Sequence, residues 1–267
     1  MSDTPSLRTD TINSDIRLSQ NINGLTFGTD ALMLASYIEG CSGTALELGA
    51  GTGVISLLLL KRKKVKKVTA LEIQPSFADL CTKNAEVNGV SQAMDTVCID
   101  LREFYGPSAY SLVFTNPPYM KSSGGKHNVF DEKNIARHEI QGTILDFCRC
   151  AERSLKFGGA FYAVYRPDRL EDLLVSMRIC SIEPKRMTFI HADADMPPSI
   201  VLIEGKRGAS ASMRVTPPLI LYKDKEHTCY SDDYLYICDH GIFPDKFRNI
   251  NAKRKKELSD ATGKESN

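Results

Sequence analysis

The hydrophobic positions of the chain follow two alternating spacings. Short continuous apolar runs predict buried strands, whereas apolar residues three or four positions apart predict helices. The predicted strands cover residues 44–48, 68–72, 95–99, 111–115, 160–165, 186–191 and 200–205. The predicted helices cover residues 28–38, 54–60, 75–88 and 141–156, with another between the fifth and sixth strands. Strands alternating with helices predict a parallel sheet covered by helices on both faces.

Several boundaries of these elements follow from single residues. Thr29 or Asp30 is expected to cap the first helix, because a side-chain oxygen there can accept a hydrogen bond from a free backbone N–H. Pro75 suits the first turn of the third helix, since its missing N–H is not needed there. Gly158 and Gly159 are expected to open the strand at residue 160. These positions predict a regular strand-turn-helix order.

Composition adds limits to this picture. The 267 residues carry 34 Lys and Arg against 33 Asp and Glu, and 42% of them are hydrophobic. This composition is typical of a globular chain and excludes a largely disordered one. The longest apolar run, residues 54–60, is too short to cross a membrane. We expect a flexible segment over residues 1–18, one domain over residues 19–205, and a short C-terminal appendage with a basic tail over residues 206–267.

The cysteines and the amino terminus indicate the compartment. The chain has 8 cysteines, scattered and without a Cys-x-x-Cys pair, so we expect reduced thiols and no metal site. The polar start of the chain lacks the apolar stretch of a secretory signal. The sequence therefore predicts a cytoplasmic, monomeric protein that binds no membrane.

A glycine-rich turn follows the first strand of the sheet. The spacing Gly49-x-Gly51-x-Gly53 differs from the dinucleotide-binding pattern, which requires its third glycine where Val54 stands. An ordinary strand-helix turn is the alternative. The run from Glu47 to Gly53 resembles the first motif of S-adenosylmethionine-dependent methyltransferases. This resemblance implies a class I fold, with a seven-stranded, mostly parallel α/β sheet whose last strand is antiparallel, and S-adenosylmethionine as the cofactor.

Acidic residues end the next two strands. Glu72 can accept hydrogen bonds from both ribose hydroxyls of a nucleoside at the carboxyl edge of the sheet. Asp100 is equally placed for the adenine edge. The predicted cofactor-binding residues are Thr29, Asp30, Glu47, Gly49, Gly51, Gly53, Glu72, Asp100 and Asn116.

The tetrad Asn116-Pro117-Pro118-Tyr119 follows the fourth strand. It resembles the motif of methyltransferases that act on a planar amino nitrogen, such as adenine N6 or a glutamine amide. Such an amine is a poor nucleophile because its lone pair is delocalised. The Asn116 side-chain oxygen and the Pro117 carbonyl can each accept one amine hydrogen, and Tyr119 can stack on the planar group. We therefore predict Asn116, Pro117 and Tyr119 as catalytic residues.

The flanking segments narrow the substrate. Residues 27–34, 136–139 and 217–222 resemble the bacterial tRNA adenine-N6 methyltransferases that modify valine tRNA beside its anticodon. This resemblance implies tRNA as the partner, methylated at the N6 amine of adenine 37, and places Thr29 and Asp30 near the methionine part of the cofactor. A protein glutamine N5-methyltransferase is the alternative, although that family usually carries a helical domain before the glycine turn. A catalytically idle RNA-binding scaffold is a second alternative.

Basic residues mark possible RNA contacts. Lys121, Lys126, Arg137 and His138 flank a glycine-containing loop after the tetrad, and we predict that they hold phosphates beside an extruded adenine. The basic runs 61–67 and 253–256 are open to two interpretations, an RNA contact or a solvated helix end.

Overall fold

The computed structural model describes residues 7–12, 16–21, 28–118 and 142–248. A hairpin is formed by β1 (Leu7–Ile12) and β2 (Ile16–Asn21). The main sheet contains β3 (Thr44–Leu48), β4 (Lys67–Glu72), β5 (Met94–Cys98), β6 (Tyr110–Thr115), β7 (Leu155–Tyr165), β8 (Ile182–His191), β9 (Pro198–Arg207), β10 (Arg214–Val215) and β11 (Leu219–Ile220). The helices are α1 (Thr29–Tyr37), α2 (Val54–Lys61), α3 (Pro75–Val87), α4 (Ile144–Ser154), α5 (Leu170–Ile179) and α6 (Asp232–His240).

The strand order of the main sheet is β10-β8-β9-β7-β6-β3-β4-β5, with β11 also paired to β8. Only β9 runs antiparallel to its neighbours, β7 and β8. The predicted α/β fold with a mostly parallel sheet is confirmed. Its seven predicted strands correspond to β3–β9, and the two-residue strands β10 and β11 raise the described count to nine.

Helices cover both faces of the sheet, as predicted. Neighbouring residues of β3 point to opposite faces, because side chains alternate along a strand. Ala45 packs with α1, α2 and α3, whereas Leu46 packs with α4 and α5. The fully apolar stretch Leu57–Leu60 of α2 is buried in the first of these layers. The parallel strands therefore carry apolar residues in succession, which explains their continuous hydrophobic runs.

Two predicted boundaries are wrong. Neither Thr29 nor Asp30 caps α1, because both lie inside the helix and Gly28 occupies the cap position without a side-chain hydrogen bond. Gly158 and Gly159 lie within β7 rather than before it, since that strand begins at Leu155 directly after α4. An irregularity in the pairing of β7 with β6 takes up the extra residues, and Gly158 has a φ of 74° there.

The amino-terminal hairpin includes residues 7–12 and 16–18 of the segment expected to be flexible, and the remaining residues of that segment lie outside the described part of the chain. In β2 the buried side chains Ile16 and Leu18 flank the exposed Arg17. Two asparagine side chains, one in α3 and one at its C-cap, bind the backbone of β2: Asn84 Oδ1 accepts from the Ser19 N–H at 2.8 Å, and Asn88 Oδ1 accepts from the Arg17 N–H at 2.9 Å. These side chains act as hydrogen-bonding partners for the free edge of the hairpin.

Residues 208–248 add β10 and β11 to the main sheet and also pack against α1. Phe243 and Phe247 are buried, and the ring of Phe243 meets the ring of Tyr37 edge-on with centroids 5.2 Å apart. The predicted boundary at residue 205 stays a prediction. None of the helices in the described part of the chain has the length and apolar character needed to span a membrane.

Candidate active site

A cavity of about 260 Å³ lies at the carboxyl ends of β3, β4, β5 and β6. Parallel strands all end at this edge of the sheet, so the turns that follow them converge here. Glu47, Gly49, Gly51, Glu72, Asp100 and Asn116 line the cavity. The structure therefore brings together six of the predicted cofactor-binding residues, which lie at or just after the carboxyl ends of four strands.

The glycine turn forms one side of the cavity. Gly49, Gly51 and Gly53 all have positive φ values, of 69°, 55° and 80°, which L-residues with a side chain rarely adopt. A Cβ added to Gly51 would meet no atom within 4 Å, so the backbone there faces open space. A Cβ on Gly53 would lie 2.6 Å from Cys81 Sγ, so Gly53 allows α2 to pack closely. The predicted Gly53 is thus beside the cavity rather than on its wall.

Glu72 ends β4 and is buried with 5% exposure. Its Oε2 accepts a hydrogen bond of 2.7 Å from the Gly51 N–H, and its Oε1 accepts one of 2.9 Å from the Gln74 N–H. Each carboxylate oxygen has two lone pairs, so both oxygens keep capacity for a further donor. The two backbone bonds fix the carboxylate beside the glycine turn, and its role at the ribose stays a prediction.

Asp100 lines the cavity two residues after the end of β5, the strand paired with β4. The Arg102 guanidinium donates to it from Nε at 3.0 Å and from Nη2 at 2.5 Å. This bonding, together with the positive charge of Arg102, lowers the pKa of Asp100. Asp100 is therefore a carboxylate near neutral pH, and part of its acceptor capacity is already used by Arg102.

Glu47 is buried in the middle of the cavity wall, with 1% exposure. The Ser56 hydroxyl of α2 donates a hydrogen bond to its Oε2. Burial raises the pKa of the Glu47 carboxyl to about 8, against the opposing effect of Ser56, and the nearby negative charge of Glu72 adds to the rise. At neutral pH this carboxyl is therefore mostly protonated, unlike Asp100.

Asn116 directly follows β6. Its Oδ1 is buried, and no atom of the described residues donates a hydrogen bond to it. The preceding Thr115 holds the strand end in place, because its hydroxyl donates to the Leu48 carbonyl at 2.8 Å. The buried Pro117 and the cavity-lining Pro118 then restrict the backbone. A buried acceptor without a donor costs about 1–3 kcal/mol, so a donor that reaches Asn116 Oδ1 would be stabilising.

The other predicted site residues are less closely associated with the cavity. Thr29 is exposed and Asp30 is half-buried, while Gly28 and Ala31 on either side line the cavity. Tyr119, Lys121, Lys126, Arg137, His138 and residues 253–256 lie outside the described residues. Their predicted roles stay predictions.

An apolar wall of the cavity was not predicted. It is formed by the side chains of Leu71, Ile73, Phe77, Ile99, Leu101 and Phe147. The signal for part of it was present, because Ile73 and Leu101 directly follow the two acidic strand ends. Phe147 could not be found this way, since it comes from α4 and reaches the cavity only through tertiary packing.

The basic run 61–67 lies at the amino edge of the sheet, opposite the cavity. Lys64 Nζ donates to the carbonyls of Ala35, Ser36 and Ile38 at 2.8, 3.0 and 2.6 Å, and so caps the end of α1. Arg62 Nη1 donates to Ser36 Oγ at 3.0 Å. Lys64 therefore satisfies carbonyls at a helix end, which supports the helix-end interpretation for this residue, whereas Arg62 bonds a side-chain hydroxyl.

The chemistry of the cavity fits a nucleoside cofactor. Glu72 offers acceptors for hydroxyl groups, the wall contributed by Ile73 and Leu101 suits a flat ring, and the open space at Gly51 admits a ligand against the backbone. Among the described residues no group of three His, Cys, Asp or Glu side chains is placed to hold a metal ion. With the strand order, these features define the class I S-adenosylmethionine-dependent methyltransferases.

The comparisons with known proteins agree with this class. Residues 23–171 match the model of the methyltransferase small domain, and the chain belongs to that family. The chain is 26% identical over 224 residues to the tRNA1(Val) (adenine(37)-N6)-methyltransferase of Porphyromonas gingivalis W83, covering 79% of this chain and 86% of that protein. It is 27% identical over 186 residues to the protein of the same name from Phocaeicola vulgatus, covering 67% and 76%.

Solved structures share the fold. A predicted O-methyltransferase from Agrobacterium tumefaciens superposes with a TM-score of 0.66 at 18% identity, covering 81% of this chain and 98% of that one. The TYW2 protein of M. jannaschii in complex with AdoMet gives a TM-score of 0.53 at 13% identity, covering 77% and 88%. The predicted fold is thereby confirmed, and with the family match the chain is a methyltransferase that uses S-adenosylmethionine.

Proposed function

We propose that this enzyme transfers a methyl group to the exocyclic N6 amine of adenine 37 in valine tRNA. The relatives at 26% and 27% identity carry this activity in their names. The observation that carries the proposal is the buried Oδ1 of Asn116, which has no donor among the described residues. An exocyclic amine supplies the donor that this oxygen lacks.

The proposed catalysis rests on positioning the amine. One amine hydrogen is accepted by Asn116 Oδ1 and the other by the carbonyl of Pro117, which turns the nitrogen lone pair out of conjugation. The two prolines keep these acceptors fixed, so little reorganisation is needed during the reaction. Tyr119 stacks on the base. No strong general base is required, because the nitrogen becomes acidic once it is alkylated.

The cofactor side of the proposal uses the cavity wall. S-adenosylmethionine supplies an electrophilic methyl group on a positively charged sulfur. Glu72 accepts the ribose hydroxyls, Asp100 faces the adenine edge, and the backbone at Gly49 and Gly51 lies against the rest of the cofactor. Glu47, Thr29 and Asp30 complete the proposed site on the methionine side.

The RNA side of the proposal uses the basic residues after the tetrad. Lys121, Lys126, Arg137 and His138 hold the phosphates around the extruded adenine, and tRNA is the partner of a monomeric, cytoplasmic enzyme that needs no metal. The catalytic domain spans residues 19–205.

Methyl transfer from a labelled cofactor to two classes of acceptor tests the proposal. The acceptors are a transcript of valine tRNA and a release factor. We expect label in the tRNA, recovered as N6-methyladenosine after nuclease digestion and mass analysis. A matched transcript with guanosine at position 37 lacks the N6 amine and should remain unlabelled. Labelling of the release factor instead of the tRNA would assign the enzyme to the glutamine N5-methyltransferases and refute the proposal.

A further inference from the structure

Two aromatic side chains outside the cavity are almost entirely exposed. Phe157, near the start of β7 at the amino edge of the sheet, is 81% exposed, and Tyr105, in the loop that leads from the cavity to the start of β6, is 83% exposed. No other large hydrophobic side chain of the described residues is exposed to this extent. Single apolar side chains are common on protein surfaces, but neighbouring large rings mark a contact surface.

The irregular start of β7 presents Phe157 to solvent. Leu155 and Ala160 pair with residues that are only two positions apart in β6, so the residues between them form a bulge. A bulge redirects the side chains that it carries. Gly208 leaves room for the Phe157 ring, because a Cβ at this glycine would collide with the ring. One side of the ring therefore rests against the Gly208 backbone, while most of its surface remains open.

Tyr105 is held in place by Arg153, from the last turn of α4. The guanidinium carbon of Arg153 lies 5.1 Å from the centroid of the Tyr105 ring. The same guanidinium donates to the carbonyl of Phe104 at 2.8 Å and to the carbonyl of Leu101, which lines the cavity. Four residues separate Leu101 from Tyr105, so their Cα atoms are at most about 14 Å apart. Tyr105 is thus fixed at a short distance from the cavity wall.

Hydrogen bonds join the segments that carry the two rings. The Ser108 hydroxyl, in the loop before β6, donates to the Leu155 carbonyl at 2.9 Å. Arg207 Nη1, at the end of β9, donates to Ser108 Oγ at 2.8 Å, and its Nη2 pairs with Glu152 of α4 at 2.6 Å. The loop, the start of β7, the end of β9 and the end of α4 are therefore fixed relative to one another.

Positive side chains accompany the rings. Lys156 and Lys206 are exposed, and neither forms an ion pair with a described residue. Lys206 lies beside the bulge, since a Cβ on Gly158 would be 3.7 Å from Lys206 Cε. The exposed Glu103, on the same loop as Tyr105, interacts with the positive charge of Arg102. The two lysines therefore keep their charge available to a partner.

Exposed rings between unpaired cations favour RNA as the partner. An aromatic ring stacks on any unpaired base, and a lysine neutralises the phosphates beside it. A protein partner is less favoured, because lysine is depleted from protein–protein interfaces. The basic run 61–67 extends the positive charge along the same edge of the sheet, with Lys61, Lys63 and Lys66 exposed.

We propose that Tyr105, Arg153, Lys156, Phe157 and Lys206 form an RNA-stacking surface, a second contact site for the acceptor RNA outside the cavity. Unpaired bases of the RNA stack on the two rings, and the flanking phosphates lie against the two lysines. The proposal rests on the proposed function only in that the acceptor is an RNA. The surface supplies affinity and takes no part in methyl transfer. A small acceptor confined to the cavity could not use it, whereas a folded RNA can reach both places.

Equilibrium binding of a valine tRNA transcript to the whole protein, measured over a range of salt concentrations, separates the rings from the lysines. Tyr105→Ala combined with Phe157→Ala should weaken binding about tenfold for each ring that stacks on a base. The dependence of affinity on salt should not change, because the rings are uncharged. Lys156→Ala combined with Lys206→Ala should reduce the log–log slope by about 0.7–0.9 for each lost phosphate contact. Wild-type affinity in the first variant, or a wild-type slope in the second, would overturn the proposal.

Conservative variants and a matched control show that the effects belong to this surface. Phe157→Trp keeps a ring that can stack and should bind tRNA like the wild type. Tyr236→Ala removes an exposed ring from α6, a helix that also carries Asp232, Asp233 and Asp239. Phosphates are repelled by such acidic surroundings, so this variant should leave tRNA affinity unchanged. A loss in Tyr236→Ala equal to that of the variant without Tyr105 and Phe157 would contradict the proposed location.

Methyl transfer distinguishes failure of the surface from failure of the proposed function. Both double variants should raise the KM for tRNA, with kcat and the affinity for S-adenosylmethionine unchanged, because none of their substituted residues lines the cavity. If the wild-type enzyme methylates the tRNA and both variants keep its KM, the RNA-stacking surface alone is refuted. If the wild-type enzyme leaves the tRNA unmethylated, the proposed function fails, and the binding measurements still decide whether the surface contacts RNA.

An anionic membrane is the competing partner for rings and lysines on one surface. Sedimentation with vesicles of equal parts phosphatidylcholine and phosphatidylglycerol tests it. We expect the double variants to bind these vesicles no differently from the wild type. Loss of vesicle binding in both variants, with unchanged binding of tRNA, would assign the surface to a membrane and overturn the RNA proposal.

Discussion

The two edges of the main sheet use polar side chains in opposite ways. At the carboxyl edge, Glu72 keeps free lone pairs and Asn116 Oδ1 has no donor among the described residues. At the amino edge, the three donors of Lys64 Nζ are all occupied by carbonyls at the end of α1. A polar group with unused bonding capacity is available to a ligand, whereas one that completes a helix end stabilises the fold. Substitutions at the two edges should therefore change different measurements.

The largest effect on stability is expected at Arg186, a fully buried cation of β8 that lies under the end of α1. It pairs with Glu204 at 2.8 Å and Glu39 at 3.1 Å, and donates to the Phe247 carbonyl. Arg186→Met leaves the two carboxylates less compensated, so the free energy of unfolding should fall by about 3–5 kcal/mol. Urea denaturation measures this loss. The exposed Arg178, 3.6 Å from Glu183, provides the control, because Arg178→Met should cost less than about 1 kcal/mol. Equal losses would contradict this interpretation.

Asn116→Ala should have the largest effect on the rate. It removes one fixed acceptor, and the loss of one such contact typically lowers the rate by about 10²–10³. Cofactor affinity should remain nearly unchanged, because Glu72 and the glycine turn are intact. Single-turnover methyl transfer to tRNA with saturating cofactor separates the two quantities. Asn116→Asp keeps an acceptor and should retain more activity than the alanine variant. If Asn116→Ala retains the wild-type rate, the tetrad has no catalytic role and only ends β6.

A smaller loss of stability is expected at the amino edge. Burial lowers the pKa of Lys64 to about 7, so the ammonium group predominates below that pH. At pH 6, Lys64→Met removes three hydrogen bonds from a charged group to the end of α1, and we expect a loss of about 1.5–3 kcal/mol. Lys63→Met, at the exposed neighbouring position, should leave the free energy of unfolding almost unchanged. Thermal or urea unfolding measures the free energy of unfolding of both variants and so distinguishes a helix cap at Lys64 from a solvated charge at Lys63. Similar stability in both would show that the carbonyl contacts contribute little.

The smallest effect on stability is expected at Gly51, with a clear effect on binding. Gly51→Ala introduces a Cβ into open space at a φ of 55°, which should cost about 1–2 kcal/mol of stability but obstruct the ligand. Gly53→Ala should destabilise more, because its Cβ would also lie 2.7 Å from Met94 Cε. Calorimetric titration with S-adenosylmethionine, beside unfolding of both variants, tests the difference. If Gly51→Ala binds S-adenosylmethionine with unaltered affinity, the cofactor does not lie against this turn.

Much of the sheet and cavity was predictable because their signals are local. An apolar run defines each parallel strand, and the residue at its carboxyl end reaches the common edge, so Glu72 and Asn116 could be placed before the structure was known. The irregular start of β7 was not predictable, since a glycine pair also suits a turn. The cap of α1 was missed for a similar reason, because Thr29 and Asp30 are good cap residues but Gly28 takes that position.

The remaining features depend on contacts between distant parts of the chain. Lys64 binds carbonyls that lie 26 to 29 residues earlier in the sequence, so the sequence does not distinguish its run from any other basic stretch. The rise in the pKa of Glu47 is caused mainly by burial of its carboxyl group, which exists only once the chain has folded. The hairpin of β1 and β2 depends on Asn84 and Asn88, which give no signal in a helix pattern. These properties arise from tertiary structure rather than from local sequence.

Asn84 connects the amino-terminal hairpin to the ligand cavity. Its Nδ2 donates to the Ser19 carbonyl at 3.2 Å and to the Thr52 carbonyl at 3.0 Å, within the glycine turn. Docking of the hairpin and ordering of that turn are therefore coupled through one side chain, and such coupling is reciprocal. Binding of the cofactor should then protect the hairpin against proteolytic cleavage, because Asn84 connects the hairpin to the glycine turn. Conversely, a chain shortened to begin at residue 28 should bind cofactor more weakly even with every cavity residue in place.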